Sequence, residues 1–224
     1  MDRRKFTSAA LGAGLAVSAG PSRAALGEAD AAAGVRAALE RGAEAAVSLL
    51  GRPDGFLGNP KVRIPLPGFL ADAAKLLKAT GQQARVDELI TAMNRAAEAA
   101  VPQARALLVQ TAKSMSIEDA VRIVRGSQTA VTEFFARKTR EPLAQKFLPI
   151  VVRATERVAL ADKFNAVAGK AAKLGLMKAD DADLNRYVTG KSLDGLYLVI
   201  GDEERRIRKD PIGTGSAILK KVFG

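Results

Sequence analysis

The small size of the apolar side chains constrains the fold of this chain more than any other feature of its sequence. Hydrophobic residues make up 48% of the chain, yet aromatic residues make up only 4% and Trp is absent. Most of the apolar residues are Ala, Leu, Val and Ile, and Ala is the best helix former. Small side chains also let helices approach one another closely. The composition therefore predicts packed helices around a sizeable core.

Helical periodicity runs through most of the chain. The clearest example is the segment 84–100, whose apolar face consists of Val86, Leu89, Ile90, Met93, Ala97 and Ala100. No stretch alternates between apolar and polar residues as a half-buried strand does. Pro65 and Pro67 restrict the residues before them and predict a largely extended segment over 61–67. We therefore expect an all-α fold, a single irregular multi-helix bundle with a proline-rich extended strap.

Polar residues and prolines predict where several helices begin or end. Ser116 and Asp119 have the spacing of a capping box, in which the Ser hydroxyl accepts a free backbone N–H. Pro102 is expected to break or kink the helix before it, with a further helix following. Thr139 followed by Pro142 predicts that a new helix starts there, because proline is favoured in a first turn.

The first 24 residues have the pattern of an export signal. Arg3 and Arg4 precede a weakly apolar run over 9–19, and the small residues that follow suit cleavage after Ala24 or Ala25. A twin arginine before a mildly apolar run is typical of the Tat pathway, which moves chains that are already folded. The pattern predicts a Tat-type signal peptide.

Removal of this predicted signal, residues 1–24, leaves 200 residues. That length suits one domain better than two, so we expect residues 25–224 to form a single helical domain. An exported, folded domain works outside the cytoplasm. The sequence therefore predicts a periplasmic protein.

The chain contains no Cys and no His, and these absences exclude whole classes of chemistry. Disulfides, thiol nucleophiles, thiolate or imidazole metal ligands and a Ser-His-Asp triad all need one of these residues. We expect no metal site and no cofactor. These absences favour a protein that does not catalyse a reaction over an enzyme.

The chain is basic, with 35 Lys and Arg against 24 Asp and Glu. The predicted signal holds four of the basic residues and one acidic residue, which leaves 31 against 23 and a net charge of +8. Such a field attracts polyanions, including an anionic membrane surface. The positive charges are dispersed among acids and few aromatics accompany them, so the sequence does not favour nucleic acid as a partner.

Several short segments in fixed order carry a resemblance to a known family. They are Ile64–Pro67 (IPLP), Met93–Glu98 (MNRAAE), Asp119–Ala120 before Gly126, Thr132–Phe135 (TEFF), Leu193–Leu196 (LDGL), Ile207–Pro211 (IRKDP) and Leu219–Gly224 (LKKVFG). Together they resemble the bacterial exported family DUF4197, a domain of unknown function. The resemblance spans nearly all of residues 25–224. It implies a mostly helical domain in the cell envelope and supplies no activity.

Asn94 and Glu98 are the most notable polar pair. They are four residues apart and so share one helix face with the apolar line of the segment 84–100. A functional interpretation points both side chains into a pocket, with Glu98 as acid or base and Asn94 orienting a ligand. A structural interpretation, which we favour, has them hydrogen bond backbone groups of the segment 64–67 that no sheet would pair.

Charged residues are concentrated in the run 202–210. Glu204 and Arg208 are four apart and can pair within a helix, which predicts a solvated helix end. The alternative is a basic patch that meets a membrane or an acidic partner, formed by Arg205, Arg206, Arg208 and Lys209.

Two classes of function remain. The first, which we favour, is an envelope protein that binds a small hydrophobic or anionic ligand, or a partner protein, without catalysis. The candidate ligand-binding residues are Asn94, Glu98, Thr132, Tyr187 and Asp194. The second class is an enzyme that uses carboxylate and hydroxyl chemistry around Glu98. Catalysis without His needs carboxylates with shifted pKa values, and no clustering of carboxylates is visible in the sequence.

Overall fold

A computed structural model describes residues 28–156, 158, 161, 162, 164, 165 and 183–210 of the chain. The predicted export signal, with Arg3 and Arg4, lies outside the described residues. The helices are α1 (Glu28–Leu50), α2 (Gly68–Ala79), α3 (Gln83–Ala100), α4 (Ala104–Lys113), α5 (Ile117–Arg125), α6 (Ala130–Thr155) and α7 (Leu184–Lys209). The described residues contain no strand, which confirms the prediction of an all-α fold.

The long helices α6 and α7 form the centre of the bundle. They run antiparallel, because Val131 lies beside Glu204, Thr139 beside Tyr197 and Thr155 beside Asn185. Helices α3, α4 and α5 pack against α6, and α1 packs against α4, α5 and α7. Helix α2 packs against α3. Among the described helices, none is long and apolar enough to cross a membrane.

Small side chains line the contacts around α3 and α4, as the composition predicts. Several alanines on these helices are fully buried: Ala96, Ala97, Ala100, Ala104 and Ala112. The larger buried side chains come mainly from the central pair and from α1, and include Phe135, Phe147, Leu143, Leu193 and Leu39. Alanines thus set how closely α3 and α4 approach the bundle, and the aromatic rings of α6 fill its interior.

The helix ends follow the predicted sequence signals at Ser116 and at Pro102. The Ser116 hydroxyl accepts a hydrogen bond from the Asp119 N–H at 3.1 Å, which confirms the predicted cap of α5. At Pro102, α3 passes into one turn of 3-10 helix, Val101–Gln103, and α4 follows. Asp183 caps α7, since its carboxylate accepts from the backbone N–H groups of Asn185 and Arg186.

The predicted helix start at Thr139 and Pro142 is wrong, because α6 runs uninterrupted through both residues. Thr139 is not a cap. Its hydroxyl donates to the Phe135 carbonyl four residues earlier, at 2.7 Å, and lies 2.8 Å from the buried hydroxyl of Tyr197. Burial raises the pKa of Tyr197. Packing against α7 therefore maintains the helix across a proline that would otherwise favour a new start.

The segment between α1 and α2, which we call the 51–67 loop, folds back over α3 and α7. It forms turns up to residue 62 and has no regular structure over 63–67. Phe56 and Val62 are buried against Gly195 of α7, where a Cβ would lie 2.7 Å from the Phe56 ring. Gly195 therefore provides the space in which the loop sits. The extended shape of the strap within this loop stays a prediction.

Replacing Gly195 by Ala is expected to lower the free energy of unfolding by about 1–2 kcal/mol, because the added methyl group overpacks against the buried Phe56 ring. The matched control is Gly190→Ala on the same helix. No described atom lies within 4 Å of a Cβ there, so the better helix propensity of Ala should stabilise the protein by up to about 1 kcal/mol. Urea denaturation followed by circular dichroism measures both. Destabilisation of the two variants to the same extent would contradict this account of Gly195.

Candidate functional site

The structure does not bring the five predicted candidate residues together at one site. Asn94, Glu98 and Tyr187 contact the 51–67 loop. Thr132 lies at the start of α6, and Asp194 lies on the exposed side of α7.

Asn94 is fully buried, and its amide is saturated by hydrogen bonds to backbone groups. Its oxygen accepts from the Ile64 N–H at 2.8 Å, and its nitrogen donates to the carbonyls of Ile64 and Ile90 at 3.0 and 2.8 Å. These contacts confirm the bridge that the sequence suggested between Asn94 and the loop. Both N–H groups of the amide are used, so no donor of Asn94 is left for a ligand.

Glu98 holds the earlier part of the same loop. One carboxylate oxygen accepts from the backbone N–H groups of Phe56 and Leu57, at 3.0 and 3.1 Å, and the other from Arg95 at 2.6 Å. The hydrogen bond to Glu98 raises the pKa of Arg95. Arg95 also reaches Asp54 at 2.9 Å. Asp54 has a φ of 64°, in the left-handed region that Asp tolerates better than most residues. Glu98 thus acts as an anchor for two backbone N–H groups.

Tyr187 and Thr132 also contact groups of the scaffold. The Tyr187 hydroxyl donates to the Pro65 carbonyl at 3.1 Å, which attaches the loop to α7. The backbone N–H of Thr132 donates to the buried carboxylate of Glu204 at 3.3 Å, as does that of Val131. Glu204 therefore satisfies free N–H groups at the start of α6, where the Thr129 side chain makes no cap.

The charged run 202–210 is largely ion paired. Arg208 donates to Glu204 at 2.9 Å, which confirms the predicted pair, and also to the Ile123 carbonyl at 3.1 Å. Arg206 pairs with Glu203 at 2.5 Å, and Arg205 pairs with Asp202. A membrane-facing or acidic-partner role of this patch stays a prediction.

An open groove between α6 and α7 has features of a ligand site. Its volume is about 480 Å³, within the usual range for small-molecule pockets. Ala144 and Leu148 of α6 and Leu193 of α7 form an apolar floor. The polar residues at its edges are Arg140, Glu141, Gln145 and Arg186. Such a mixture of apolar floor and few polar groups suits a ligand with an apolar body.

Thr189 lines this groove and carries an unsatisfied hydroxyl. The residue is only 5% exposed, and its Oγ1 is the one buried side-chain polar atom without a hydrogen-bond partner among the described residues. Other buried helical hydroxyls in this protein behave differently, because Thr139, Thr155 and Ser192 each donate to the carbonyl four residues earlier. An unpartnered buried hydroxyl costs about 1–3 kcal/mol. Thr189 thus places at this groove a donor that has no acceptor among the described residues.

Gly190 lies beside Thr189 and also lines the groove. A glycine inside a helix costs about 1 kcal/mol relative to alanine. At Gly195 and Gly201, neighbouring atoms lie too close to allow a Cβ, so glycine is needed there despite this cost. A Cβ at Gly190 would meet no described atom within 4 Å. Packing of the described residues thus gives no reason for glycine at 190.

Charges of both signs lie at the end of the groove near Arg140. The Arg140 guanidinium pairs with Asp194 at 2.5 Å and lies 5.4 Å from the centre of the Tyr197 ring. Lys191 is 3.9 Å from the other oxygen of Asp194. Asp194, one of the predicted candidates, therefore does not line the groove in the contacts described but pairs with Arg140, which does.

A second open cleft lies between α1 and α7, with a volume of about 560 Å³. Its lining is strongly charged and of mixed sign: Arg41, Glu44, Glu203, Arg206 and Asp210. It lacks the buried unpartnered atom that marks the α6–α7 groove. Among the described residues, no group of three acidic side chains is placed to hold a metal ion.

Sequence reasoning missed the groove residues Arg140, Arg186, Thr189 and Gly190. Gly190 had a visible signal, since a glycine inside a strongly helical segment needs a reason. Thr189 had none, because only the structure shows that its hydroxyl does not bond to the preceding turn.

Comparison with known proteins gives one match. The model of a family described as "Protein of unknown function (DUF4197)" matches residues 25–224. No curated protein and no solved structure shows significant similarity to the chain.

Replacing Asn94 by Ala is expected to lower the free energy of unfolding by about 2–3 kcal/mol, because it leaves buried backbone groups of Ile64 and Ile90 unpaired. The comparison variant is Asp194→Ala, which removes a half-exposed ion pair and should change stability by at most about 1 kcal/mol. Thermal unfolding followed by circular dichroism checks both. A small effect of Asn94→Ala would remove the case for Asn94 as an anchor of the loop.

Proposed function

We propose that this chain, which belongs to the DUF4197 family of unknown function, binds a small ligand with an apolar body without catalysing a reaction. The ligand lies in the α6–α7 groove, against Ala144, Leu148 and Leu193. The single observation that carries the proposal is the unpartnered hydroxyl of Thr189 at this groove.

The groove offers apolar surface for binding a ligand but few groups that could act as an acid or base in catalysis. Its floor provides apolar surface, and burial of such surface drives association at about 25 cal/mol per Å². Glu141 is the only carboxylate among the described residues that line it, and it is exposed and hydrogen bonded to Gln145 at 3.4 Å. General acid–base catalysis needs positioned groups with matched pKa values. The lining of the groove therefore supports binding over the alternative of an enzyme.

The enzyme alternative centres on Glu98, and no observation favours it. Both oxygens of Glu98 accept hydrogen bonds, from the backbone of the 51–67 loop and from Arg95. Work as a proton donor or acceptor would release these anchors.

We also propose that the protein works in the periplasm. The twin arginine at Arg3 and Arg4, with the apolar run after it, supports export of a folded chain. The family match covers residues 25–224 and leaves out residues 1–24, which is compatible with a removable signal. A binding protein that is folded before export meets its ligand in the envelope.

Filling the groove is expected to abolish ligand binding. Native mass spectrometry of the protein purified from the periplasm should detect a retained small molecule. Gly190→Leu should lose that molecule, because the new side chain occupies the space above α7. The matched control is Gly68→Leu, since a Cβ at Gly68 of α2 also meets no described atom and lies away from the groove.

Circular dichroism spectra must show that both leucine variants are folded. Retention of the molecule by Gly190→Leu, or its loss from both variants, contradicts binding in this groove. If no molecule is retained by the unaltered protein, titration with decanol followed by calorimetry replaces mass spectrometry as the readout.

Export through the twin arginine is tested separately. The double variant Arg3→Lys, Arg4→Lys is expected to leave the precursor in the cytoplasm, because the signal is read as a guanidinium pair and lysine is not equivalent to arginine. Arg23→Lys is the control, since it makes the same exchange outside the pair. Cell fractionation with mass measurement of the product reports location and cleavage. Periplasmic recovery of the double variant at the level of the control would show that export does not use the pair.

A further inference from the structure

We infer that the ligand of the α6–α7 groove is an uncharged amphiphile, an apolar chain that carries a neutral oxygen group such as an alcohol or an ester. This inference rests on the proposed function and specifies the class of ligand. Two features of the groove support it, the balance of its charges and the burial of its unpartnered hydroxyl.

Both arginines that line the groove already have a carboxylate partner. Arg140 pairs with Asp194 at 2.5 Å, and Arg186 pairs with Asp183 at 3.5 Å. Arg186 also makes a further interaction. An anionic ligand would have to compete with a carboxylate of the protein for either guanidinium group. It therefore gains little from their charge.

The charges at the groove cancel as a set. The charged lining residues and the groups that pair with them comprise three basic and three acidic residues: Arg140, Arg186 and Lys191, and Glu141, Asp183 and Asp194. A cation that approached Glu141 would also approach Arg140, the residue before it in the chain and in the same lining. A ligand charge of either sign therefore gains no net attraction from this set.

The buried hydroxyl of Thr189 favours a neutral group for a separate reason. Because Thr189 is almost fully buried, a ligand group that meets its hydroxyl has to leave water. Leaving water costs an ionised group far more than a neutral one, unless an opposite charge takes the place of the water. A hydroxyl can both donate and accept hydrogen bonds. It therefore matches the neutral oxygen of an alcohol or an ester.

The floor of the groove requires that the rest of the ligand be apolar. Ala144, Leu148 and Leu193 are its apolar side chains, and a Cβ at Gly190 would meet no described atom within 4 Å. Over residues 186–193 the helix rises by about 10 Å, at about 1.5 Å per residue. A volume of about 480 Å³ accommodates a single alkyl chain of medium length.

The first test compares three probes that share one chain and differ in the head group: 1-decanol, decanoate and decylammonium. Each is titrated by calorimetry into the delipidated protein at pH 7.5. 1-Decanol is expected to bind at least about tenfold more tightly than either ion, because only its head group reaches Thr189 without an uncompensated charge.

Thr189→Val tests the contact with the hydroxyl. It should weaken the binding of 1-decanol about three- to tenfold, since one hydrogen bond is lost. The matched control is Thr155→Val, because Thr155 is also buried between α6 and α7 but its hydroxyl has partners in the protein. This control should keep the affinity for 1-decanol. Without ligand, Thr189→Val should unfold at a higher temperature than the unaltered protein and Thr155→Val at a lower one.

Asp194→Asn tests the balance of charges, because it leaves the Arg140 guanidinium without its carboxylate. The variant should bind decanoate about three- to tenfold more tightly than the unaltered protein does. Asp202→Asn is the matched control on the same helix. Asp202 pairs with Lys61 and Arg205, which do not line the groove, so its replacement should leave the affinity for decanoate unchanged.

The outcomes separate the two levels of the proposal. An affinity for decanoate or decylammonium that equals that for 1-decanol overturns the uncharged ligand and leaves binding of an apolar ligand in place. An unchanged affinity of Thr189→Val for 1-decanol, or of Asp194→Asn for decanoate, has the same meaning. So does a molecule retained from the periplasm that is ionised at neutral pH. If no probe binds the unaltered protein and no molecule is retained, the proposed function itself is wrong.

Discussion

Buried backbone N–H and C=O groups need hydrogen-bond partners. Three buried side chains supply these partners for backbone groups that helical hydrogen bonds leave unpaired. Asn94 pairs with Ile64, Glu98 with the N–H groups of Phe56 and Leu57, and Glu204 with the first free N–H groups of α6. Each of these bonds joins residues far apart in the chain. They therefore position the 51–67 loop and the start of α6 on the rest of the bundle.

The glycines of α7 lie in two different environments. Gly195 and Gly201 are needed for close contact, with Phe56 in one case and Thr132 in the other. Gly190 has no such neighbour among the described residues and lies in the groove. One face of α7 thus supports the loop, while another lines the groove beside α6.

Local sequence patterns predicted the parts of the fold that local physics decides. The helical class, the cap at Ser116 and the bridge from Asn94 all follow from spacing, since residues four apart share a face. Tertiary contacts decided the rest. The helix α6 continues through Pro142 because Thr139 is held against Tyr197. The groove could not be predicted, because it depends on a space between two helices and on the direction of the Thr189 hydroxyl.

The place of α1 in the bundle determines when the chain can finish folding. Helix α1 comes first among the described helices, yet it packs against α7, which comes last among them. Helices α4 and α5, which also pack against α1, are made earlier, but the part of α1 that contacts α7 lacks this partner until residues 184–209 have been made. The contact between α1 and α7 can form only after translation has passed residue 209, so the chain joins its first and last described helices late in folding.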